Sequence, residues 1–410
     1  MIKFLKDKQI LKILILAILI RLLIAPFYFH PDIKTYNFQS SFLSKGVWNI
    51  YDYLKDNQES LPLKEEFVYF PLTYFVLGGY QIIAQPFLGS DFKNWLSDAS
   101  EQATDKIGTF RYLFILKLPY LFLDVALAFL LMSYFNTNEK KKNVLTLWLL
   151  NPFSLILIYV YSNVDILAVF LATLSLILAY KQKFILAALF LGIGAGFKVY
   201  PLLLLPIVVL MIKGFKQKFL MIGVCISIFF VIILPFLKST IFFQSALVSG
   251  LTTRMFIPSI NLGFNETLIL PIILFTILFF LGIFEKNKKE KLMVYCFSLL
   301  LILFATIHFH IQWLLWLMPV AVVLAVSNKN LLPYIFTLIT MVFLIPLLYE
   351  DKSMTVSLFS VISATYNNLP TPFSLIQKFY NPYVLQSILH SIFVGASLIF
   401  IWKIVKEDTA

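Results

Sequence analysis

The sequence has 410 residues, of which 60% are hydrophobic, 17% aromatic and 13% charged. A mean hydropathy of +0.87 excludes an ordinary water-soluble globular protein and predicts a polytopic membrane protein. The net charge of +12 would suit a nucleic-acid partner, but in a membrane protein a basic excess more often sets orientation, so its distribution along the chain decides between the two.

The first apolar run covers residues 9 to 29, and Lys3, Lys6, Lys8 and Lys12 precede or begin it. By the positive-inside rule these lysines place the N-terminus in the cytoplasm. No small-residue cleavage site follows the run, so we expect a membrane anchor and not a removed signal peptide.

A long polar loop, residues 30–111, begins directly after this run and leans acidic. We expect it to form a small extracytoplasmic subdomain. Its apolar stretch Phe67–Leu88 is long enough to cross the membrane, but a crossing there would turn Lys140–Lys142 to the outside. We therefore expect an interfacial helix in this stretch, with Pro71 and Gly78-Gly79 acting as helix breakers.

Eleven further apolar runs follow, which with the first predict about twelve transmembrane helices. They lie near residues 112–135, 144–161, 166–181, 184–197, 199–213, 219–237, 267–284, 292–309, 311–326, 331–349 and 384–402. The runs 184–197 and 199–213 are shorter than the ~20 residues of a straight spanning helix, so we expect a broken or re-entrant pair. The expected fold is an all-α bundle that forms a single domain over residues 1–410.

The charge distribution supports this arrangement. If the spans alternate from a cytoplasmic N-terminus, the inner segments hold 19 of the 33 Lys and Arg residues but only 6 of the 21 acidic ones. The whole basic excess then lies on one side, as orientation requires, and no nucleic-acid partner is expected. Both termini are expected in the cytoplasm, with Glu101 outside and Lys141 inside.

Unusual polar residues gather at the outer ends of the predicted spans. They are Asp32, Asn163, Asp165, Lys198, Arg254, Glu266 and the run His308-Phe309-His310-Ile311-Gln312-Trp313, with His30 beside the first of them. Ionisable groups at or below a membrane surface are costly, and several of them on one face predict a water-filled pocket.

Asp32 has two interpretations that residue chemistry alone leaves open. It could act as a general base, because a carboxylate beside an acceptor hydroxyl can take the proton as the oxygen attacks. It could also be the N-cap of the helix that follows the first span, since Asp is a preferred capping residue.

The basic residues and histidines also leave alternatives. Lys198 and Arg254 could clamp a phosphate, or they could snorkel to lipid headgroups. His308 and His310 could bind a metal or a phosphate, or they could be ordinary interface histidines. Because Cys225 and Cys296 both fall in apolar runs, no disulfide framework or cysteine metal site is expected.

Three ionisable residues lie inside the predicted spans. Lys117 and Asp124 are seven residues apart and so share one helical face, while Arg21 lies well within the first span. We expect these three to form an internal ion-paired network with a structural role.

The order of these features resembles the C-type (GT-C) glycosyltransferases, and among them the polyprenol-phosphate-mannose-dependent mannosyltransferases, which include the catalytic subunit of GPI mannosyltransferase I and its prokaryotic relatives. The segments that carry the resemblance sample the chain to about residue 320. In order they read PDIKTY, KGVWNIYDYL, FVYFPLTYF, LKLPYLFLDVALAFLL, LLNPFSLILIYVYSNVDILAVFLATL, GIGAGFKVYPLLLLP and HFHIQWLLWLMP.

The resemblance implies a function and a set of roles. It implies inverting transfer of a sugar, with mannose favoured, from a polyprenyl-phosphate donor to a lipid- or glycan-linked acceptor at the extracytoplasmic face of the cell membrane. Asp32 would be the base, and Lys198, Arg254 and His310 would bind the donor phosphate. The candidates for lining the pocket are His30, Tyr36, Tyr69, Asn163, Asp165, His308, Gln312 and Trp313.

One departure from the family pattern bears on cofactors. Eukaryotic members carry two aspartates separated by one residue, whereas here Asp32 is followed by Ile33 and Lys34. A metal held by two such carboxylates is therefore not expected, and basic residues would neutralise the phosphate instead.

Two rival functions remain open at this stage. A polytopic transporter or lipid flippase without glycosyltransferase activity is one, although such proteins usually show matching halves and polar residues near the midplane. A relative with a donor sugar other than mannose is the other. The sequence does not identify the acceptor.

Overall fold

The computed structural model describes residues 7–100, 104, 108–249 and 252–406, and this part of the chain is nearly all α-helical. Among the residues discussed above, Lys3, Lys6 and Glu101 lie outside the described residues. The N-terminal charge and the sidedness of position 101 therefore stay predictions.

Short 3-10 and π turns join the helices of the described residues. In chain order the helices are α1 (Lys8–Ile24), α2 (Pro31–Ser41), α3 (Ile50–Asp56), α4 (Pro71–Leu88), α5 (Phe92–Ser97), α6 (Thr109–Met132), α7 (Asn138–Leu149), α8 (Pro152–Leu155), α9 (Ile166–Tyr180), α10 (Phe184–Ala195), α11 (Pro201–Leu210), α12 (Phe215–Ile233), α13 (Thr240–Phe242), α14 (Leu270–Phe284), α15 (Lys288–Thr306), α16 (Leu314–Ser327), α17 (Leu332–Leu347), α18 (Pro372–Ile376) and α19 (Pro382–Lys406).

Five helices of the described chain are long and apolar enough to cross a membrane: α1, α6, α12, α17 and α19, some of them extended by a flanking turn. A sixth is added if α7 and α8 count as one bent span. The helices α9, α10, α11, α14 and α16 are apolar but shorter. Large side chains such as Phe122 and Trp402 are exposed on the outer surface. These features indicate a membrane-embedded protein, whereas the count of twelve spans stays a prediction.

The run 144–161, which we expected to be one span, bends instead by 45° between α7 and α8. Asn151 caps the new helix by accepting a hydrogen bond from the Phe153 N–H at 2.9 Å, and Pro152 takes the first helical position. A proline there has no N–H to continue the preceding helix. The shortness of α10 and α11 is confirmed, with 12 and 10 residues.

In the first loop α2 packs on α4, and Gly78 sets how closely they approach. A Cβ at Gly78 would meet the Ser40 carbonyl oxygen at 2.6 Å, so only glycine fits this crossing. The prediction that Gly78-Gly79 breaks the helix is wrong, because α4 runs through both and Pro71 begins it. The outward face of α4 carries exposed Ile83 and Phe87, as an interfacial helix would.

The ion pair inside the bundle differs from the expected network. Arg21 Nε donates to Asp124 Oδ2 at 2.6 Å, and both side chains are fully buried. Lys117 does not join them: its Nζ donates to the backbone carbonyls of Ala25, Tyr28 and Tyr159 at 2.7–2.8 Å. Seven residues separate positions on a helix by about 10 Å along its axis, which leaves Lys117 nearer the carbonyls at the end of α1 than Asp124.

One element departs from an all-α fold. The strands β1 (Ser259–Gly263) and β2 (Glu266–Ile269) form an antiparallel hairpin immediately before α14. The sequence predicted no strand here, and the predicted span 267–284 begins within β2.

Candidate active site

The structure brings all twelve predicted site residues into one connected cluster. They come from six separate segments: the start of α2, the turn before α4, the turn between α8 and α9, the break between α10 and α11, the turn before β1, and the turn before α16. The contacts described below link each segment to at least one other.

Asp32 lies in the first turn of α2 but does not cap it. The N-cap is His30, whose Nδ1 accepts a hydrogen bond from the Asp32 N–H at 3.3 Å. The capping interpretation of Asp32 is therefore wrong. Its side chain is 28% exposed, and Oδ2 accepts from Gln312 Nε2 at 3.0 Å. A partly exposed carboxylate at a helix N-terminus, held by one amide, can still receive a ligand.

Gln312 ties Asp32 to two turns. Its Nε2 also donates to the Tyr161 carbonyl at 3.2 Å, and its own carbonyl accepts from Asn163 Nδ2 at 2.7 Å. Its backbone N–H donates to His310 Nδ1 at 3.3 Å, the same kind of imidazole cap that His30 provides. Ser162, between Tyr161 and Asn163, has φ +52°, a strained conformation that often marks functional turns.

Asp165 lies behind the pocket and is fully excluded from solvent. Tyr69 Oη and Trp316 Nε1 each donate to one of its carboxylate oxygens at 2.7 Å. Lys198 Nζ lies 3.5 Å from Asp165 Oδ1 and 4.0 Å from the centre of the Tyr69 ring, with 13% of its side chain exposed. Lys198 therefore does not snorkel to lipid; its ammonium group is held between the buried carboxylate and the Tyr69 ring.

Two tyrosines line the wall between Asp32 and Asp165. The rings of Tyr36 and Tyr69 meet edge to face with centroids 4.7 Å apart. Burial raises the pKa of Tyr36 well above its usual value, and the nearby Asp32 carboxylate raises it further. Burial and Asp165 do the same for the pKa of Tyr69. Both phenols therefore stay protonated and uncharged.

An aromatic stack lies beside Asp165 and ends at Arg254. Tyr200 stacks on Trp316 at 4.3 Å, and Trp316 stacks on Trp313 at 4.9 Å. The guanidinium carbon of Arg254 lies 5.7 Å from the Trp313 ring centre, and Arg254 Nη1 donates to the His308 carbonyl at 3.2 Å. Because Trp316 also donates to Asp165, the partner of Lys198, the stack connects the two cations through that carboxylate.

Two histidines of the site, His308 and His310, are uncharged at neutral pH. His310 lies in the turn before α16, where burial lowers its pKa to about 4. Burial and the neighbouring Arg254 lower the pKa of His308, whose ring stacks on Tyr349 at 4.6 Å. His30 and His310 approach each other with ring centroids 5.9 Å apart. Positive charge for binding an anion therefore comes from Lys198 and Arg254.

Lys34, two residues after Asp32, contacts α5. Lys34 Nζ donates to the Asp98 carbonyl and lies 5.0 Å from the Trp95 ring centre, so it ties α2 to α5. Within the described residues, no group of three or more His, Cys, Asp or Glu side chains is placed to hold a metal ion. The residues present here offer a single accessible carboxylate at Asp32.

Three residues of the site were not predicted from the sequence. Trp316 and Tyr200 build the stack, and Tyr161 supplies the carbonyl that holds Gln312. Trp316 lies three residues after Trp313, a spacing that places both on one helical face and could have indicated a shared role. Tyr200 and Tyr161 gave no signal that separates them from the other tyrosines of the spans.

No protein-family model, no curated protein and no solved structure matches this chain. What the site can do therefore follows from its own chemistry. It brings an accessible carboxylate, an ammonium group and a guanidinium group into one cluster with several aromatic side chains. Aromatic side chains suit a ring with apolar faces and polar edges, and the two cations suit a phosphate.

Proposed function

We propose that the protein is an integral-membrane glycosyltransferase of the GT-C type. It transfers a sugar, with mannose favoured, from a polyprenyl-phosphate donor to a hydroxyl group of a lipid- or glycan-linked acceptor. The observation that carries the proposal is Asp32: an accessible carboxylate, not used as a helix cap, in the same cluster of contacts as Lys198 and Arg254.

In the proposed reaction Asp32 takes the proton of the acceptor hydroxyl as its oxygen attacks C1 of the donor sugar. The bond between C1 and the phosphate oxygen breaks, and polyprenyl phosphate leaves with the electron pair. Attack from the face opposite the leaving group inverts the anomeric centre. Asp32 then gives the proton to water when the product leaves.

Lys198 and Arg254 are the groups that would stabilise the phosphate charge as the bond breaks. The Lys198 ammonium is already fixed by Asp165 and needs little rearrangement to meet a phosphate oxygen. Arg254 is fixed by the Trp313 ring and the His308 carbonyl. Preorganised donors of this kind stabilise charge without paying for reorientation during the reaction.

The sidedness of the pocket is part of the proposal. We infer a multi-pass chain of about twelve spans with both termini in the cytoplasm and the site on the extracytoplasmic face, because the lysine-rich turns lie in segments that alternate with the site segments. Glu59, which is 95% exposed in the first loop, serves as the outer marker and Lys141 as the inner one. In sealed vesicles, cysteines at these two positions should react with an impermeant reagent from opposite sides. Reaction from one side would contradict the topology.

The test of activity is reconstitution of the purified protein in liposomes with a panel of polyprenyl-phosphate sugars and chromatographic identification of the transferred sugar. The proposal expects turnover with one donor, most readily the mannosyl lipid, and loss of turnover in Asp32→Asn. No turnover with any donor, together with movement of a labelled lipid between leaflets, would favour the transporter.

A further inference from the structure

The hairpin of β1 and β2 exposes large apolar side chains that no described part of the chain covers. Every residue of β1 is exposed, and so are Leu268 in β2 and Phe264 at the tip, the latter at 107% relative exposure. Exposure of this apolar surface to water would be unfavourable in free energy. The surface therefore requires an apolar environment.

The two faces of the hairpin differ in character. Ile260 pairs with Leu268, and Asn261 pairs with Thr267 on the adjacent positions of the ladder. Because successive strand residues point to opposite faces, Ile260 and Leu268 share one face, on which Glu266 lies nearer the tip, while Asn261 and Thr267 share the other, with Ile269 at its base. In the middle of the ribbon the cross-strand pairs are thus apolar on one face and polar on the other, as expected of a segment that lies between water and an apolar phase.

The turn at the tip also presents an apolar side chain. Phe264 and Asn265 adopt φ values of +50° and +64°, the left-handed pair of a tight two-residue turn. Asn is well suited to this conformation, whereas Phe is not. A phenylalanine there is unfavourable for the backbone and unfavourable in water, so its side chain is better explained by an apolar surrounding.

The hairpin is continuous with a surface that faces lipid. Strand β2 runs directly into α14, and the Leu270 N–H donates to the Pro258 carbonyl at 3.0 Å, which closes the base of the hairpin onto that helix. Helix α14 exposes Ile277 and Phe280. Glu266 is the one charged residue between positions 255 and 284. On its N-terminal side the hairpin follows Arg254, whose guanidinium group lies over the Trp313 ring.

We propose that the hairpin lies flat in the interfacial layer of the membrane, with Ile260, Phe264 and Leu268 in contact with lipid acyl chains and the face of Asn261 and Thr267 toward the headgroups. The occupant of the apolar face is bilayer lipid and not a protein partner, because that face continues into the lipid-exposed side of α14. This inference does not depend on sugar transfer. If the proposed function holds, the hairpin also stands where a lipid-linked donor would pass from the bilayer to Arg254.

The test is site-directed spin labelling in lipid nanodiscs. Single cysteines replace Ile260, Phe264, Asn261 and Thr267 in turn, and the unmodified chain controls for the native cysteines, which are both buried. The accessibility of each nitroxide is measured to oxygen, which concentrates in acyl chains, and to a water-soluble nickel complex.

The proposal expects an oxygen-to-nickel ratio several-fold higher at positions 260 and 264 than at 261 and 267. Two results overturn it. Equal, high nickel accessibility at all four positions would place the hairpin in water. Low accessibility to both reagents at 260 and 264 would show a protein covering the apolar face. All four substitutions are at exposed positions, so the fold is expected to tolerate them.

Discussion

Removing Lys198 should have two separable effects, because its ammonium group neutralises a buried carboxylate and is also proposed to bind the donor phosphate. Asp165 is fully buried, and in Lys198→Met it would keep the Tyr69 and Trp316 hydrogen bonds but lose its ion pair. Breaking a buried pair by removing one partner costs roughly 3–5 kcal/mol, and the lower end applies here because Lys198 is partly exposed. We expect a clear fall in the melting temperature of the purified variant.

The same substitution should slow sugar transfer for a different reason. A contact between a charged group and a phosphate contributes roughly 1.5–3 kcal/mol, which corresponds to a loss of about tenfold to a hundredfold. The loss should show mainly as a higher donor concentration for half-maximal rate. The double variant Lys198→Met/Asp165→Asn separates the effects, since it removes the stranded charge but does not restore the cation.

The assay compares thermal unfolding and transfer rate, as a function of donor concentration, for the wild type and both variants. We expect the double variant to recover most of the stability and none of the donor binding. Recovery of both would show that Lys198 acts only through Asp165 and would refute its role at the phosphate. Unchanged stability in Lys198→Met would refute the ion pair.

Three further outcomes follow from the structure. Gly78→Ala should destabilise the fold by about 1–3 kcal/mol through overpacking, because its Cβ would meet backbone at 2.6 Å, whereas Gly79→Ala, with nothing within 4 Å, should not; thermal unfolding of the matched pair decides. Arg21→Met should cost roughly 3 kcal/mol or more by stranding the Asp124 charge, and an unchanged midpoint in chemical denaturation would contradict this. The folded-state pKa of His310, about 4, lies below its unfolded value of 6.5, so its stabilising contribution is complete above pH 6.5 and is lost as the pH falls toward 4. His310→Gln should therefore lose less stability than the wild type between pH 7 and 4, and equal losses would argue against a buried neutral imidazole.

Sequence reasoning found the members of the site because their cost at a membrane surface makes them visible. Asp32, Lys198 and Arg254 stand out against apolar neighbours, and the structure places them in one cluster of contacts. Charge and hydropathy are local properties, so a single chain reveals them. Charge and hydropathy do not show which residues each of these side chains contacts.

The misses depend on contacts between distant parts of the chain or on details of turns. Asp165 is buried and accepts a hydrogen bond from Trp316, which lies 151 residues away in the chain. No local sequence pattern shows such a contact. His30 takes the cap that Asp32 could have taken, a choice set by the geometry of one turn. The bend at Asn151 coincides with an Asn-Pro pair, a dipeptide that is also common in ordinary loops and turns. A hydropathy average over the whole run does not reveal the bend.

The central claim is that Asp32 is the base, and the most direct measurement is the transfer rate of Asp32→Asn. Asparagine can still accept the hydrogen bond from Gln312, and loss of a first-turn charge costs only about 0.3–1 kcal/mol, so the fold should survive. Asp52→Asn is the matched control, a first-turn carboxylate of α3 in the same loop, bonded to Asn49 and Ser239. The account predicts a loss of about 10²- to 10⁴-fold in Asp32→Asn and a change of no more than a few-fold in the control. Transfer by Asp32→Asn at near the wild-type rate would contradict the account.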